Sequence, residues 1–583
     1  MKLIKIILKL LSKKEKKYGI FVVILVTIMA LLDAAGVISI IPFLAILGNP
    51  EMVEENGILK QLYIGSKKIG VQNINDFLIF LGVSALLLII FSSCFRILTH
   101  YVLNHFVEMR RHSISEKLLK NYLSLPYSSF LNKHSGELSK TILSEVDQFV
   151  GQILRPVTNM LVYLIVLVVL VTLLLFINPF LTILICAVFS FLYGVFFLML
   201  QRFFIRIGSN RIKANKDRFV IISEIFGSIK YIKLLGKEEI YFSQFGAPSS
   251  QFSKMQANFQ TFTQAPKFIV EGIGFGSILI LTVFLIGKYG GIENGALGEI
   301  LPTLGLYTFS AYRLLPAATN IYQGLSSLNY GSASIHELYE NSILDNALTV
   351  ESSTPLSFKK RIFLDDISYL FSQSDKPALE NITLEIPFGK SLGIIGTTGS
   401  GKTTLIDIIL GLLEPSNGTL NVDGVVITKE NRKSWQKLLG YVPQEIILTH
   451  CSILENIAFG LPKNEIDMAK VINCAKLAHI HDFISNDLPY KYETLVGERG
   501  TRLSGGQRQR IGIARALYND PEVLILDEAT SALDTRTELK VIKSIESLHG
   551  DKTIILITHR MTAIKNCEYV LKLENGKIKK NYG

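Results

Sequence analysis

Six apolar runs of membrane-spanning length occupy the first 330 or so residues of this 583-residue chain. A helix needs about 20 residues to cross the ~30 Å hydrocarbon core of a bilayer, and within lipid only helices and closed barrels satisfy their backbone hydrogen bonds. The sequence therefore predicts six membrane-spanning helices. They lie at about 19–47, 77–105, 150–177, 180–204, 268–289 and 297–328.

Basic residues set the predicted orientation of these helices. They concentrate in the N-terminal segment and in residues 110–140 and 202–237, which all lie on one side of the predicted spans. Cytoplasmic loops carry such an excess of Lys and Arg. We therefore expect a multi-pass protein of the cell (inner, cytoplasmic) membrane with both termini inside. The long basic segments are expected to continue the helices and to turn through short couplers near 130–136 and 224–228.

Net charge alone would allow a nucleic-acid partner, since it is +11. The basic residues flank the apolar runs, however, and no stacking aromatics alternate with them, so no nucleic acid is expected. Residues 1–17 place lysines at helical spacing among Leu and Ile, which predicts a basic amphipathic segment along the lipid head groups. A signal peptide is the competing interpretation, but no small-residue cleavage site follows. The five cysteines are scattered without metal-ligand spacing, so neither zinc nor disulfides are expected.

A glycine-rich loop lies between two short apolar runs, residues 391–395 and 405–410. A strand, such a loop, a Lys-Thr pair and a helix form a phosphate cradle, because backbone N–H groups and the helix N-terminus point at phosphate oxygens. Lys402 is expected to reach the β- and γ-phosphates of ATP, and the Thr403 hydroxyl to hold Mg²⁺. The predicted nucleotide-binding residues of this loop are Gly396, Thr397, Thr398, Gly399, Ser400, Gly401, Lys402, Thr403 and Thr404.

Three later motifs carry groups suited to ATP hydrolysis. Gln444 ends a predicted strand and is expected to reach Mg²⁺ and the attacking water. Asp527 and Glu528 end the apolar run 523–526; the first suits a Mg²⁺ contact, and the second suits polarising the water. His559 follows the predicted strand 553–557 and is expected to contact the γ-phosphate.

A second phosphate-binding surface is predicted at Leu-Ser-Gly-Gly-Gln, residues 503–507. Ser504, Gly505, Gly506 and Gln507 place a hydroxyl and backbone N–H groups at the start of the helix 511–517. An ATP in the first loop already has its cradle, so this surface is not needed by that nucleotide. Upstream, Phe371 can stack on adenine; Tyr369 is the alternative, and a buried core aromatic is the competing interpretation of both.

Together these motifs resemble the ATPase of ABC transporters, and the six spans ahead of them resemble an exporter half-transporter. The resemblance implies an α-helical six-span transmembrane domain, 1–340, a linker, 341–361, and an α/β P-loop (RecA-like) ATPase domain, 362–583. That last domain would add an antiparallel β subdomain and a helical subdomain. The resemblance also implies a homodimer in which each ATP, with Mg²⁺, lies between one chain's phosphate loop and the other chain's Leu-Ser-Gly-Gly-Gln.

Charged residues inside the predicted spans are costly and therefore suggest function. Arg96, Lys267 and Arg313 are candidates for a cationic lining that contacts an anionic head group such as a pyrophosphate. Ion pairing, with Lys267 to Glu271 as the obvious case, or snorkelling to the interface explains them equally well. Asp33 is expected to make a polar contact between helices.

Short patches around residues 231–234, 266–275 and 311–316 resemble bacterial flippases of lipid-linked oligosaccharides (PglK type). The resemblance implies ATP-driven flipping of a polyprenyl-pyrophosphate glycan or a similar anionic glycolipid. Export of a peptide, a drug or lipid A is the alternative. An ABC protein that gates a channel or regulates a partner is a further one.

Overall fold

The computed structural model describes residues 2–48, 50, 52–55, 57–68, 71–131, 135–177, 179–288, 297–343, 356–371, 374–529, 532–548, 550–558, 564 and 567–582. By its internal contacts the chain divides into two compact units. The first comprises Met1–Leu125 with Lys133–Asn346, and the second comprises Pro126–Asn132 with Ala347–Gly583. The predicted boundaries at 340 and 361 stay predictions.

Helices build the first unit. In chain order they are α1 (Lys2–Leu10), α2 (Lys13–Gly48), α3 (Met52–Glu55), α4 (Gly57–Lys67), α5 (Ile74–Ser124), α6 (Ser135–Ser139), α7 (Val146–Phe149), α8 (Arg155–Ile177), α9 (Pro179–Gly227), α10 (Ile229–Leu235), α11 (Glu238–Lys288), α12 (Leu297–Tyr330) and α13 (Ser332–Ile343). Two π-helical turns, Lys140–Glu145 and Val150–Leu154, join α6, α7 and α8 into one continuous rod.

Four helical segments of the described chain are long and apolar enough to cross a membrane: Lys13–Leu47, Ile74–Ser124, Gly136–Phe176 and Thr182–Gly227. They contain the first four predicted spans. The fifth and sixth predicted spans lie on α11 and α12, where many side chains fall outside the described residues, so the count of six stays a prediction. α5 and α11 have 51 residues each, or about 75 Å of helix, more than twice the hydrocarbon thickness. α5 reaches Ser124 and α9 reaches Gly227, so both helices continue into the long basic segments, as expected.

The predicted coupler positions show breaks in the helices. A 3₁₀ turn, Tyr127–Ser129, follows α5 and groups by its contacts with the second unit. Residues 132–134 of the first predicted coupler lie outside the described residues. Ser228 separates α9 from α10, inside the second predicted coupler. A coupling role for either break stays a prediction.

A buried ionic cluster joins the helices of the first unit. Glu145, which is 0% exposed, accepts hydrogen bonds from Arg211 (3.0 Å) and Asn215 (2.9 Å) on α9. Lys140, 1% exposed, donates to Glu337 of α13 at 2.8 Å. Buried charges are tolerated only when they are paired, so this cluster fixes the register of the third and fourth membrane helices and α13 against one another.

Two sheets form the second unit. An antiparallel sheet has the order β2 (Leu379–Pro387), β1 (Arg361–Tyr369), β4 (Asn417–Val422), β5 (Val425–Val426). The larger sheet has the order β10 (Lys577–Tyr582), β9 (Tyr569–Glu574), β3 (Ser391–Gly396), β8 (Thr553–Ile557), β7 (Val523–Asp527), β6 (Leu439–Val442). The helices with it are α14 (Lys402–Ile409), α15 (Arg432–Gln436), α16 (Ile453–Ile457), α17 (Met468–Leu477), α18 (Gly505–Tyr518) and α19 (Thr535–Glu546).

The larger sheet positions the candidate site. β7 and β8 are buried along their whole length, as expected for central parallel strands covered on both faces. β3, β8, β7 and β6 run parallel, so their carboxyl ends meet at one edge. Ligands bind at that edge in open α/β sheets. The glycine-rich loop, the 527–528 carboxylates and the segment before Gln444 all follow these strand ends.

Candidate functional site

The glycine-rich loop leaves β3 at Gly396 and enters α14 at Lys402. Its backbone needs glycine at two points. Gly399 and Gly401 have φ angles of +79° and +98°, in the left-handed region that side chains disfavour. At Gly401 a Cβ would also lie 2.6 Å from the carbonyl oxygen of Ala378. The strand–loop–helix context predicted for the phosphate cradle is present.

Two side chains of the loop bear on whether it fits a triphosphate. The Lys402 ammonium donates to the carbonyl oxygens of Gly396 (2.8 Å) and Thr397 (2.9 Å), so it lies against the start of the loop. Ser400 is 2% exposed, and its hydroxyl has no hydrogen-bond partner among the described residues. Buried polar groups are normally paired, so a loop with an orphaned hydroxyl and an ammonium suits an anionic ligand.

Two of the groups predicted to act in ATP hydrolysis meet at the end of β7. The amide nitrogen of Gln444 donates to the carboxylate of Glu528 at 2.9 Å. β6 and β7 are parallel neighbours, which brings the residues beyond their ends together. Glu528 has a φ of +46°, an unusual conformation for a side-chain-bearing residue, and its N–H donates to the Ile557 carbonyl at 3.0 Å. Such strain is typical of functional sites.

Electrostatics at this edge favour a cation. Burial, and secondarily the charge of Glu528, raise the pKa of Asp527, against the opposing effects of Lys402 and a Tyr441 hydrogen bond. Burial and the charge of Asp527 raise the pKa of Asp407 on α14 to about 6. Carboxyls that are crowded together and poorly hydrated bind protons or metal ions to relieve repulsion. The donor set predicted for Mg²⁺, which is Thr403, Gln444 and Asp527, therefore suits that ion.

The second predicted surface forms the N-terminus of α18. Ser504 is its N-cap: the Ser504 hydroxyl accepts from the Gln507 N–H at 3.3 Å, and the Gln507 side chain accepts from the Ser504 N–H at 2.8 Å. A Cβ at Gly506 would lie 3.1 Å from the Ala532 carbonyl oxygen, so this turn packs closely on the chain that follows Glu528. The helix thereby presents its positive end as predicted.

The two aromatic candidates for adenine differ in burial. Tyr369 is 8% exposed and belongs to the hydrophobic core between the sheets, as the competing interpretation has it. Phe371 is half-buried and meets Tyr369 edge to face, with ring centroids 4.9 Å apart. Phe371 therefore has the more available ring; its contact with adenine stays a prediction. His559 and the side chain of Arg313 lie outside the described residues.

The other two candidate substrate residues are paired. Arg96 Nη2 donates to Asp33 Oδ1 at 2.5 Å, and Ser92 donates to the same oxygen at 2.6 Å. The predicted inter-helix contact of Asp33 is confirmed, because Asp33 lies on α2 and its two partners lie on α5. Lys267 and Glu271 lie 3.7 Å apart, as the i,i+4 interpretation expects, and both are about half-exposed. A role in substrate binding stays a prediction for Arg96, Lys267 and Arg313.

Comparison with known proteins agrees with this architecture. Residues 379–531 match the family model described as ABC transporter, and residues 61–300 match that of the ABC transporter transmembrane region. An ATP-dependent lipid A-core flippase of Saccharophagus degradans is 30% identical over 480 residues, which cover 82% of this chain and 78% of that protein. The chain belongs to the ABC transporters. Its second unit is the ATPase of this transporter, and ATP hydrolysis there is coupled to transport.

More distant relatives of the transporter extend the likeness. The chloroplastic ABC transporter B family member 29 of Arabidopsis thaliana is 34% identical over 315 residues, 53% of this chain and 48% of that one. A solved bacterial Atm1-family ABC exporter with ATP bound has a TM-score of 0.78 at 22% identity and covers 97% of this chain and 95% of its own. At that identity the match shows an exporter fold.

Two residues near the candidate site of the transporter were not predicted from the sequence. The Tyr441 hydroxyl hydrogen-bonds to the carboxylate of Asp527, and burial beside Asp527 and Asp407 raises the pKa of Tyr441. Gln509 on α18 accepts from the Ala532 N–H at 3.0 Å and donates to the Glu528 carbonyl at 3.4 Å. Tyr441 thus supports a predicted metal ligand, and Gln509 ties α18 to Glu528, which follows β7.

A Tyr441→Phe variant should need about 10-fold more Mg²⁺ for half-maximal ATPase, because outer-shell partners orient a ligating carboxylate and tune its basicity. Mn²⁺ binding to the ATP-loaded protein, followed by electron paramagnetic resonance, should weaken by a similar factor. Saturating Mg²⁺ should restore most of the maximal rate. Tyr490→Phe is the control, since Tyr490 is 73% exposed. An unchanged Mg²⁺ requirement would contradict the support given to Asp527.

Proposed function

We propose that two copies of this chain form an ATP-driven flippase in the cytoplasmic membrane, with the ATPase units on the cytoplasmic side. Its substrate is a lipid-linked oligosaccharide on a polyprenyl pyrophosphate or a similar anionic glycolipid. Several relatives named ATP-dependent lipid A-core flippases support a lipid substrate, and the sequence patches resembling oligosaccharide flippases support a glycan-bearing one.

One observation carries the anionic part of this proposal: the Asp33–Arg96 pair inside the predicted spans. Asp33 is 4% exposed in its side chain and fixes one nitrogen of the guanidinium, while a third of the Arg96 side chain remains exposed. Arginine stays charged and presents several donors in a planar fork, so a guanidinium held in this way suits phosphate oxygens. Charge within a membrane is rare unless it is paired or functional.

The site residues divide the work of hydrolysis. Lys402 and the backbone of its loop bind the β- and γ-phosphates, and Ser400 offers its buried hydroxyl to the same ligand. Glu528 accepts a hydrogen bond from Gln444 and is placed to take the proton of the attacking water. Thr403, Gln444 and Asp527 would hold Mg²⁺, which when bound neutralises charge on the phosphates.

ATP also supplies the force for transport in this proposal. Binding two nucleotides between the phosphate loop of one copy and Ser504–Gln507 of the other would close the ATPase pair. Breaks such as Ser228, at the ends of the long helices, would pass that closure to the spans. Hydrolysis would then reset the dimer.

Reconstituted vesicles test the substrate. With a fluorescent polyprenyl-pyrophosphate glycan in the bilayer, ATP should drive its translocation. Arg96→Gln should slow translocation by about 10-fold, the equivalent of about 1.4 kcal/mol, while ATPase without substrate stays within twofold. Arg155→Gln is the matched control, because Arg155 forms an exposed pair with Glu108 at the start of α8. Intact ATPase without glycolipid movement would defeat the substrate assignment.

Lipid A is the second candidate, favoured by the likeness to a lipid A-core flippase that extends over 82% of this chain. Parallel vesicles with labelled lipid A separate the two. Translocation of lipid A alone would assign the transporter to that substrate, and Arg96 would then be expected to contact its phosphates. A pump for uncharged drugs should be indifferent to Arg96→Gln.

A further inference from the structure

The first unit has a half-open cavity of about 480 Å³ between α8, α9 and α12. Its wall is almost wholly apolar: Leu167 and Val171 come from α8, the segment Cys186–Phe197 comes from α9, and the segment Leu314–Leu325 comes from α12. The cavity lies on the third, fourth and sixth predicted spans, so those predictions place it among the lipid tails.

The tyrosines of the wall turn their polar ends away from the cavity. The Tyr193 hydroxyl lies 2.9 Å from the Thr319 hydroxyl, which itself donates to the Leu315 carbonyl at 2.9 Å, so Tyr193 is the donor of the pair. Tyr322 donates to the Phe262 carbonyl at 3.2 Å. Their rings, 5.7 Å apart, are what the cavity meets. A water molecule needs two to four polar partners to stay in a cavity, and this wall is poor in them.

Size and position together indicate the occupant. An apolar cavity of about 150 Å³ stays dry and takes up a benzene-sized molecule, and this cavity is about three times larger. Gly194 of the wall faces open space, because a Cβ there would meet no described atom within 4 Å. An apolar wall of this size gains dispersion contacts when an apolar occupant covers it. The molecules in surplus at this depth of a bilayer are lipid tails.

We propose that this cavity binds one hydrocarbon chain of a membrane lipid and holds it between α8, α9 and α12. The proposal rests on the proposed function only for the source of the chain, which is either the polyprenyl tail of the transported glycolipid or an acyl tail of a bilayer phospholipid. A tail held here would anchor the lipid while its head group meets the cationic residues of the spans.

Photolabelling of the full-length protein tests this. Two probes are used in separate samples: a phosphatidylcholine and a polyprenyl phosphate, each with a diazirine in its hydrocarbon. In the wild type, light should attach a probe to peptides that contain 186–197 or 314–325. Gly194→Leu fills the cavity from an open position and should cut that labelling by about 10-fold. Gly276→Leu is the matched control, since Gly276 on α11 is also open and does not line the cavity.

A second measurement uses a native thiol. Cys186 lines the cavity, whereas Cys94 on α5 is exposed and lies outside it. Adding the labelling lipid to detergent-solubilised protein should slow alkylation of Cys186 by N-ethylmaleimide several-fold and leave that of Cys94 unchanged. Mass spectrometry of the two peptides gives both rates.

The outcomes separate cleanly. Labelling that depends on Gly194, with protection of Cys186, supports the site, and the probe that labels identifies the source of the chain. Equal labelling of wild type and Gly194→Leu, without protection of Cys186, overturns it. Neither measurement requires ATP or transport, so failed glycolipid translocation in vesicles would leave both results standing.

Discussion

Replacing Glu528 with glutamine should slow steady-state ATP hydrolysis by about 100-fold or more while ATP binding persists. An amide cannot take up the proton that the attacking water must lose. Its oxygen can still accept the hydrogen bond from Gln444, which spans 2.9 Å in the native site, so the local geometry should survive. The variant should therefore retain ATP instead of failing to bind it.

Phosphate release and retained nucleotide measure the two parts of this expectation. The purified variant should release phosphate at no more than about one hundredth of the native rate and should keep ATP through gel filtration. Glu385→Gln is the control, because Glu385 is an exposed carboxylate of β2 paired with Arg361. A variant that retains more than a tenth of the native rate would remove Glu528 from the role of base.

The sequence was sufficient to predict those features that depend on one strand or one loop alone. Residues 523–526 are an unbroken apolar run, and β7 is buried throughout, since a central parallel strand is covered on both faces. The run 553–557 is β8 to the residue. The glycines at 399 and 401 have the positive φ angles that the cradle needs. A local pattern carries all of this information.

Features that depend on neighbours could not be predicted in this way. Tyr441 reaches Asp527 only because β6 pairs with β7, although about 80 residues separate them in the chain. The pairing of Arg96 with Asp33 needs the rotation of α5 against α2, which the apolar runs leave undetermined because they are apolar on every side. The apolar run also places the third span from 150, whereas the helical rod that contains it begins at Ser135 and passes through two π-turns.

The structure adds one link between the two predicted phosphate-binding surfaces. Gln509 of α18 hydrogen-bonds to Ala532 and to the Glu528 carbonyl, so the helix capped by Ser504 is tied to the predicted base of the same chain. If Ser504 contacts an ATP held in the phosphate loop of a partner copy, binding of that ATP would affect the position of Glu528 in this chain. A symmetric pair would then sense both nucleotides at both sites.

Dimers of two differently tagged copies test whether the nucleotide is shared between chains. Let every copy carry Glu528→Gln, so that bound ATP is retained. With Lys402→Ala on one copy and Ser504→Arg on the other, both defects fall in one composite site, and the dimer should retain one ATP. With both defects on one copy beside an otherwise unchanged partner, each site has a defect, and the dimer should retain none. Loss of the ammonium removes the main charge that holds the phosphates, and the added side chain blocks the helix N-terminus, so each defect suffices to empty its site.

The same pair of dimers gives the opposite result if each chain binds ATP with its own loop and its own Ser504. The dimer with one defect on each copy would then have two defective sites and retain no ATP. The dimer with both defects on one copy (the combined dimer) would retain one ATP, in its unchanged copy. Retained ATP is counted after gel filtration, and a dimer with Glu528→Gln alone sets the upper value of two. Both dimers contain the same two substitutions, and the two hypotheses predict opposite counts of retained ATP for them. A general loss of stability would lower both counts and so cannot produce either pattern. ATP retained only in the combined dimer would exclude the head-to-tail site and, with it, the closure that the flippase mechanism requires.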